Sequence, residues 1–200
     1  MRFWLIALLL LCGLGMANWW QHRPAHAASG MLAASAPAQT DIDGHPAELH
    51  SGRFTLDPRA NFDITARVLS REDYQMDDLA PISPTDLTLG WGRMSDTAVL
   101  DRIRISQSNR FYFWYTDDFP IPRREIEESS ANMHMIPASN AVARALRAVR
   151  QGEIVHLRGF LVNVHRDDGR AWNTSLTRDD TGAGACEVVL VEDIGETQAN

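Results

Sequence analysis

The residues of this chain whose types could together carry out nucleophilic chemistry are Cys186, His134, Asn132 and Asp180. A histidine can deprotonate a cysteine thiol, and an amide or a carboxylate can orient the imidazole, as in Cys–His hydrolases and transferases. However, Cys186 alternates with apolar residues along a predicted strand, which is typical of a buried thiol. His134 lies between two methionines and fits a semi-buried, hydrogen-bonded histidine. The sequence therefore favours packing roles for both residues over catalytic ones.

A second candidate site is the uninterrupted aromatic run Phe111–Tyr115. The run predicts a strand that is either covered on both faces or in contact with a partner on one of them. Exposed aromatic side chains stack on bases or sugars in oligonucleotide- and glycan-binding barrels. A buried core explains the run equally well. As a binding face, it predicts these ligand-binding residues: Trp91, Phe111, Phe113, Trp114 and Trp172.

Two further patterns carry little functional signal. Asp180-Thr181-Gly182 has the letters of an aspartic-protease loop, but polar residues precede it, whereas a carboxylate that shares a proton needs an apolar approach. A turn is the better interpretation. The histidines are scattered and form no H-E-x-x-H or closely spaced Cys/His set, so we expect no metal site and no cofactor.

Composition excludes several classes of protein. The basic residues number 19 and all are arginine, which excludes a Schiff-base lysine, a Ser–Lys dyad and a phosphate-loop lysine. The formal net charge is −7, so we expect no nucleic-acid partner. Cys186 is the only cysteine beyond the apolar start of the chain, so the folded domain has no internal disulfide.

Residues 1–20 predict a membrane anchor. A basic residue precedes the apolar run Phe3–Ala17, and two tryptophans that suit a membrane–water interface follow it. We favour an uncleaved, single-pass helix in a bacterial inner membrane, with the rest of the chain in the periplasm. The alternative is a signal peptide cut after the A-x-A pattern Ala25-His26-Ala27. Arg23 weakens the orientation argument, so a cytoplasmic domain on the same anchor stays open.

Composition also divides the chain into segments. Residues 21–50 are rich in small residues and proline and lack apolar periodicity, which predicts a flexible tether. Residues 51–194 form a single β-rich globular domain, long enough to bury a core. Residues 195–200 form a disordered tail.

Local patterns within the domain predict strands and two short helices. Alternation indicates two early strands and a polar stretch after them. Ser95 and Ser139 are the predicted helix caps, and Gly159 predicts a bulge or bend. The predicted segments are strands Arg53–Leu56 and Phe62–Leu69, polar stretch Ser70–Ser83, strand Phe111–Tyr115, helix Asn140–Arg150, and strands Ile154–Val164, Ala171–Leu176 and Ala185–Val191.

The order of these elements predicts a mainly β (α+β) fold. Specifically, we expect a small antiparallel, OB-like barrel with two short helices, preceded by an N-terminal transmembrane helix. A helix before the last three strands and a strand bent at Gly159 motivate this prediction.

Several motifs resemble blocks of an uncharacterised family of proteobacterial, membrane-anchored proteins. The motifs are Gly90-Trp91-Gly92-Arg93-Met94-Ser95-Asp96, Ile105-Ser106-Gln107-Ser108, Phe111-Tyr112-Phe113-Trp114, Ser130-Ala131-Asn132-Met133-His134-Met135-Ile136-Pro137 and Asp180-Thr181-Gly182-Ala183-Gly184-Ala185-Cys186-Glu187. The resemblance covers roughly Phe54–Glu192 and the layout of anchor and tether. It implies a membrane location and a single fold, and it carries over no activity and no catalytic residue.

Two functions are therefore open from the sequence. The first is a membrane-anchored periplasmic binding or accessory domain that recognises an envelope protein or a glycan. The second is a Cys–His hydrolase or transferase that uses Cys186 and His134, with Asn132 or Asp180 orienting the imidazole.

Overall fold

A computed structural model describes residues 23–25, 29–44, 48–177 and 185–197, together with positions 4, 6, 12, 13, 15 and 16. Most of the predicted anchor, residues 1–20, therefore lies outside the described residues. Among the residues that are described, no helix combines the length and the apolar character needed to cross a membrane.

Within these ranges the chain is mainly β, as predicted, with three short α-helices rather than two. The additional helix follows Pro122, in a segment whose prolines do not predict regular structure. The strands are β1 (Ala38–Thr40), β2 (Leu49–Ser51), β3 (Phe54–Asp73), β4 (Thr85–Gly90), β5 (Arg104–Ser108), β6 (Phe111–Tyr115), β7 (Ser130–Pro137), β8 (Ile154–Arg166), β9 (Ala171–Trp172) and β10 (Glu187–Glu196). The helices are α1 (Thr97–Leu100), α2 (Arg123–Glu128) and α3 (Asn140–Ala148).

The main sheet is mixed, which corrects the prediction of a purely antiparallel one. β3 pairs with β4 and β8, β4 with β7, and β8 with β10, all antiparallel. β7 and β10 are parallel, because the long connection between them, with α3 and β8, lets the chain return in the same direction. The pairing path β3-β4-β7-β10-β8 therefore leads back to β3, while β5 and β6 form a separate two-stranded sheet.

Alternating side chains supply hydrophobic clusters on both faces of the main sheet. On β10, Val189 and Val191 join the largest cluster, whereas Val188 and Leu190 join a second one. The first five residues of β10 are buried, with side chains on both faces of the sheet, which explains the continuous apolar run Val188–Val191. A third cluster packs Trp114 of β6 against the segment that contains α1 and α2.

β3 is one long strand where two short strands were predicted. A register shift at Arg59, between Pro58 and Ala60, lets the strand continue through the residues that separate the two predicted pieces. The strand also continues through Arg71 to Asp73, into the predicted polar stretch 70–83. Main-chain pairing with β4 explains this extension, because the hydrogen-bond ladder does not require apolar side chains.

The helix predicted at Asn140 is confirmed, with a small difference at its end. The Ser139 hydroxyl accepts a hydrogen bond from the Val142 N–H at 3.2 Å, which is the predicted cap. The helix ends at Ala148 rather than at Arg150. Its buried side then packs on the main sheet.

The cap of α1 differs from the prediction and reveals how the preceding segment is held. Asp96, not Ser95, caps the helix, because its carboxylate accepts the Ala98 N–H at 2.9 Å. The Ser95 hydroxyl instead accepts the N–H groups of Leu32 and Ala33, at 3.1 and 3.0 Å. Leu32 and Ala33, which lie in the predicted tether, are therefore hydrogen-bonded to the domain, and β1 follows them along β3.

Gly159 lies at a point of close contact between β8 and β10. A Cβ atom at Gly159 would lie 1.9 Å from the Leu190 carbonyl oxygen, so only glycine fits. The register shift that accompanies this contact is in the partner strand, between Val191 and Asp193. The irregularity predicted at Gly159 thus belongs to β10, which then continues to Glu196, into the predicted tail.

Candidate functional site

The two-stranded sheet presents the aromatic run on a tight hairpin. Asn109 and Arg110 form its two-residue turn, with φ angles of 53° and 71°, the left-handed values of a type I′ turn. The predicted strand Phe111–Tyr115 is confirmed. Its odd-numbered aromatic side chains are exposed, whereas Tyr112 and Trp114 are half-buried against the body of the domain.

A groove of about 540 Å³ follows the outer edge of β6. Every residue of β6 lines it and none of β5 does, so it lies on the side of β6 that faces away from its partner strand. Phe119, α2 and the starts of β7 and β10 form the opposite wall, which includes Arg123, Asn132 and Cys186. We call this feature the aromatic groove.

The edge of β6 supplies main-chain groups to this groove. Ser108 and Phe111 flank the two-residue turn and so form a hydrogen-bonded pair, after which bonded and non-bonded pairs alternate. The N–H and C=O groups of Tyr112 and Trp114 therefore point away from β5. Among the described residues, no other strand pairs with this edge. Such an edge is a template for an additional strand.

Hydrogen bonds hold the hairpin in place over β7. Gln107 Nε2 donates to Asn132 Oδ1 at 2.7 Å, and Asn132 Nδ2 donates to the Arg110 carbonyl oxygen at 3.0 Å. The Tyr112 hydroxyl lies 3.0 Å from Ser130 Oγ. Burial raises the pKa of Tyr112 above its usual value, so its hydroxyl stays protonated and can donate. The groove is therefore preformed.

Four of the five predicted ligand-binding residues line the aromatic groove. Phe111 and Phe113 are exposed there, and Trp114 is half-buried. Trp91 also lines the groove, but it is only 3% exposed and belongs to the main core, so its chief role is packing. Trp172 does not reach the groove, because its ring on β9 packs against His134, 4.4 Å between centroids.

His134 belongs to a buried charged cluster outside the groove. Asp86 is fully buried, and its Oδ1 pairs with Arg110 Nη1 at 3.0 Å. Asp86 Oδ2 lies 2.9 Å from His134 Nδ1, at ion-pair distance but without the alignment of a hydrogen bond. Arg110 also pairs with Asp77 at 2.8 Å and stacks on the Tyr74 ring. The cluster therefore connects the hairpin turn to β4 and to the segment between β3 and β4.

The structure brings three of the four predicted catalytic residues to one region. Asn132 and His134 share a face of β7, and Cys186 directly precedes the adjacent strand β10, near Asn132. Cys186 is half-buried, with its thiol 4.0 Å from the Arg110 carbonyl oxygen. His134 is only 2% exposed, so a substrate has no access to its imidazole. Asp180 lies outside the described residues.

Asp86, Arg110 and Tyr112 belong to this region, although the sequence predicts no binding or catalytic role for any of them. Arg110 had a usable signal, because Asn109-Arg110 separates two strand-like runs by the two residues of a tight hairpin. Asp86 had no such signal in the sequence, since a carboxylate between threonine and leucine does not indicate complete burial. Among the described residues, no group of three His, Cys, Asp or Glu side chains could hold a metal ion.

Comparisons of the chain with protein-family models, with curated proteins and with solved structures give no match.

Proposed function

We propose that the chain is a membrane-anchored periplasmic binding protein whose aromatic groove takes an extended segment of an envelope protein. The observation that carries this proposal is the outer edge of β6, which no strand in the described part of the chain pairs with and which presents the main-chain groups of Tyr112 and Trp114. An extended peptide adds to such an edge by main-chain hydrogen bonds, while pockets for alternate side chains give specificity. The exposed aromatic side chains beside the edge supply those pockets.

The exposed ion pair on the wall of the groove opposite β6 favours an uncharged peptide beside it. Arg123, on the wall opposite β6, pairs with Glu127 at 2.9 Å and lies over the Trp114 ring at 5.8 Å. Its charge is therefore largely compensated. The exposed rings of Phe111 and Phe113 offer apolar contact on the other side. We expect apolar or aromatic side chains at alternate positions of the bound segment.

We also propose that the main sheet is an OB-like barrel. The pairing path that returns to β3, the parallel pair β7–β10 and the position of α3 between β7 and β8 support this. OB-folds bind ligands on the face of their second and third strands, which correspond to β4 and β7. Here the hairpin β5–β6 is inserted between those two strands and covers part of that face. The outer edge of the hairpin would then be the binding surface, in place of the covered face of β4 and β7.

The anchor and the periplasmic location rest on the apolar run Phe3–Ala17 and on the residues that flank it. A topology reporter fused after Ile194 tests the orientation. Reporter activity on the cytoplasmic side alone would contradict the periplasmic location.

Peptide binding is tested with the full-length chain in detergent. A peptide is selected from a phage-displayed library of short random sequences, and its affinity is measured by fluorescence anisotropy. Phe113→Ala should weaken binding by about tenfold or more, since an exposed aromatic anchor is lost without loss of fold. N-methylation of alternate peptide residues should abolish binding, because it removes the hydrogen bonds to β6. Met76→Ala is the control, since Met76 is exposed and lies outside the groove.

A glycan is the other outcome, because exposed aromatic rings also stack on sugars. If no peptide is selected and chito-oligosaccharides bind in a manner that depends on Phe113, the partner is a glycan and the peptide proposal fails. Peptide binding that survives both Phe113→Ala and N-methylation would equally contradict the proposal.

A further inference from the structure

A second cleft, at the carboxyl end of α3, is lined by arginines. It has a volume of about 960 Å³ and lies between α3 and the connection from β3 to β4. Its charged lining residues are Arg71, Asp73, Arg144, Arg147 and Arg150. This excess of positive charge stands out on a chain whose formal net charge is −7. We call this feature the arginine cleft.

Arg71 has a structural role within the cleft. Its guanidinium donates to the carbonyl oxygens of Leu146 and Val149, at 2.6 and 2.8 Å, and so satisfies acceptors at the end of α3. It also pairs with Asp73 at 2.8 Å. Its charge is therefore compensated by the helix end and by a carboxylate.

The remaining arginines differ in how far their charges are balanced. Arg150 pairs with Glu153 at 2.5 Å. Arg144 and Arg147 are exposed on α3, and no carboxylate of the described residues forms an ion pair with either of them. Two guanidinium groups at the rim of the cleft are thus available to an anion. Guanidinium groups bind phosphate oxygens in a bidentate manner.

The cleft lies next to the point where the chain enters the domain. The Ala25 N–H donates to the Gln151 carbonyl oxygen at 2.7 Å, one residue beyond Arg150. A Cβ atom at Gly152 would lie 2.4 Å from the Ala25 carbonyl oxygen, so the two segments are in close contact. The predicted anchor ends at Trp20, and the roughly five residues between them span at most about 18 Å. An embedded anchor would therefore hold the arginine cleft close to the membrane surface.

We propose that the arginine cleft binds anionic phospholipid headgroups of the membrane that holds the anchor. This inference rests on the proposed anchor, and the charge of Arg144 and Arg147 complements that of the lipid phosphates. Basic groups near an anionic bilayer strengthen its contact with a protein. The contact would set the orientation of the domain, and hence the direction in which the aromatic groove faces.

Native mass spectrometry of the full-length chain in a non-ionic detergent tests the proposal. Phosphatidylglycerol and phosphatidylcholine of the same chain length are added separately, and bound lipid is counted. The wild-type chain should prefer phosphatidylglycerol. The double substitution Arg144→Gln with Arg147→Gln should reduce that preference by about tenfold or more. Arg102→Gln with Arg104→Gln removes the same charge from exposed positions outside both the aromatic groove and the arginine cleft, and it should leave the preference unchanged.

Three results would overturn the proposal. The first is equal binding of the two lipids by the wild-type chain. The second is an unchanged lipid preference in the double variant Arg144→Gln with Arg147→Gln, provided that its circular dichroism is native. The third is full displacement of phosphatidylglycerol by inorganic phosphate or by an oligoglutamate peptide. Carbonate extraction of cell membranes tests the anchor separately, and peptide binding tests the aromatic groove separately. A missing membrane anchor or a missing peptide site can therefore be distinguished from a missing lipid site.

Discussion

Arg110 in the hairpin turn and Asp86 in β4 form a buried ion pair, with Nη1 and Oδ1 3.0 Å apart. The pair joins the small sheet that carries the aromatic groove to the main sheet. Asp86 is fully buried, and both Arg110 and His134 lie against its carboxylate. The position of the groove therefore depends on residues that do not line it.

Replacement of Asp86 should destabilise the domain strongly. In Asp86→Ala, Arg110 keeps Asp77 but loses its buried partner, and His134 loses the carboxylate beside it. Removal of one member of such a buried pair costs about 3 kcal/mol of unfolding free energy. Urea unfolding monitored by tryptophan fluorescence measures this. Asp117→Ala is the control, because Asp117 pairs with Arg104 at 3.5 Å on the surface, and its removal should cost less than about 1 kcal/mol. Equal stability of the two variants would show that the pair does not hold the hairpin.

The contact between Gly159 and Leu190 makes a second prediction. Gly159→Ala places a methyl group where the Leu190 carbonyl oxygen lies, so β8 and β10 must separate, at a cost of about 3 kcal/mol. Gly195→Ala lies in the same strand pair with no atom within 4 Å of the added carbon, and it should be nearly neutral. Thermal unfolding of both variants provides the comparison, and similar midpoints would contradict the close packing of β8 and β10.

The lowered pKa of Asp77 leads us to expect that this residue contributes to the loss of stability of the domain at acidic pH. Burial alone would raise its pKa, but hydrogen bonds from Arg110 and from the Leu79 N–H hold the pKa below its usual range. As the pH falls, the unfolded state therefore binds a proton before the folded state does. The contribution of Asp77 to stability is complete above about pH 4 and is lost as the pH falls through the folded-state pKa. Urea unfolding between about pH 6 and about pH 3 should show a shallower loss in Asp77→Asn. If the free energy of unfolding falls equally steeply with pH in both proteins, the lowered pKa of Asp77 is contradicted.

Thiol labelling separates the two functions that the sequence leaves open. Cys186 lines the groove, whereas the imidazole of His134 is buried outside it, so we expect His134 to have no effect on the reactivity of the thiol. In a Cys12→Ser background, the rate of maleimide labelling is measured as a function of pH, since the thiolate is the reactive form. His134→Gln should leave this profile unchanged. Fast labelling at acidic pH that disappears in His134→Gln would favour the Cys–His enzyme.

Local elements of this fold could be predicted from the sequence because their signals are local. Ser139 and the apolar stripe after it define α3, and continuous aromatic character defines β6. The parallel pairing of β7 with β10 could not be predicted, since Met133 and Glu187 are distant in sequence and no local pattern reports their contact. The extension of β3 past Arg71 was missed for the same reason, because its partner strand decides it.

The candidate site was predictable in its chemistry but not in its arrangement. Phe113 and Trp91 are both aromatic, and sequence alone assigns both to a binding face. The structure exposes Phe113 and buries Trp91 in the core, so alanine at Trp91 should cost about 3 kcal/mol or more and is unsuitable as a binding test. Likewise, the partner of His134 is Asp86 rather than Cys186, a relationship that only the pairing of β4 with β7 creates.

Hydrogen exchange at Tyr112 and Trp114 tests the central claim most directly. The full-length chain is followed by NMR, with and without the peptide selected on the aromatic groove. If the peptide pairs with the edge of β6, these two outward-pointing amides become protected, while the amides of Ser106 and Phe113, which already face each other across the hairpin, change little. Peptide binding that leaves exchange at Tyr112 and Trp114 unchanged would contradict strand addition at this edge.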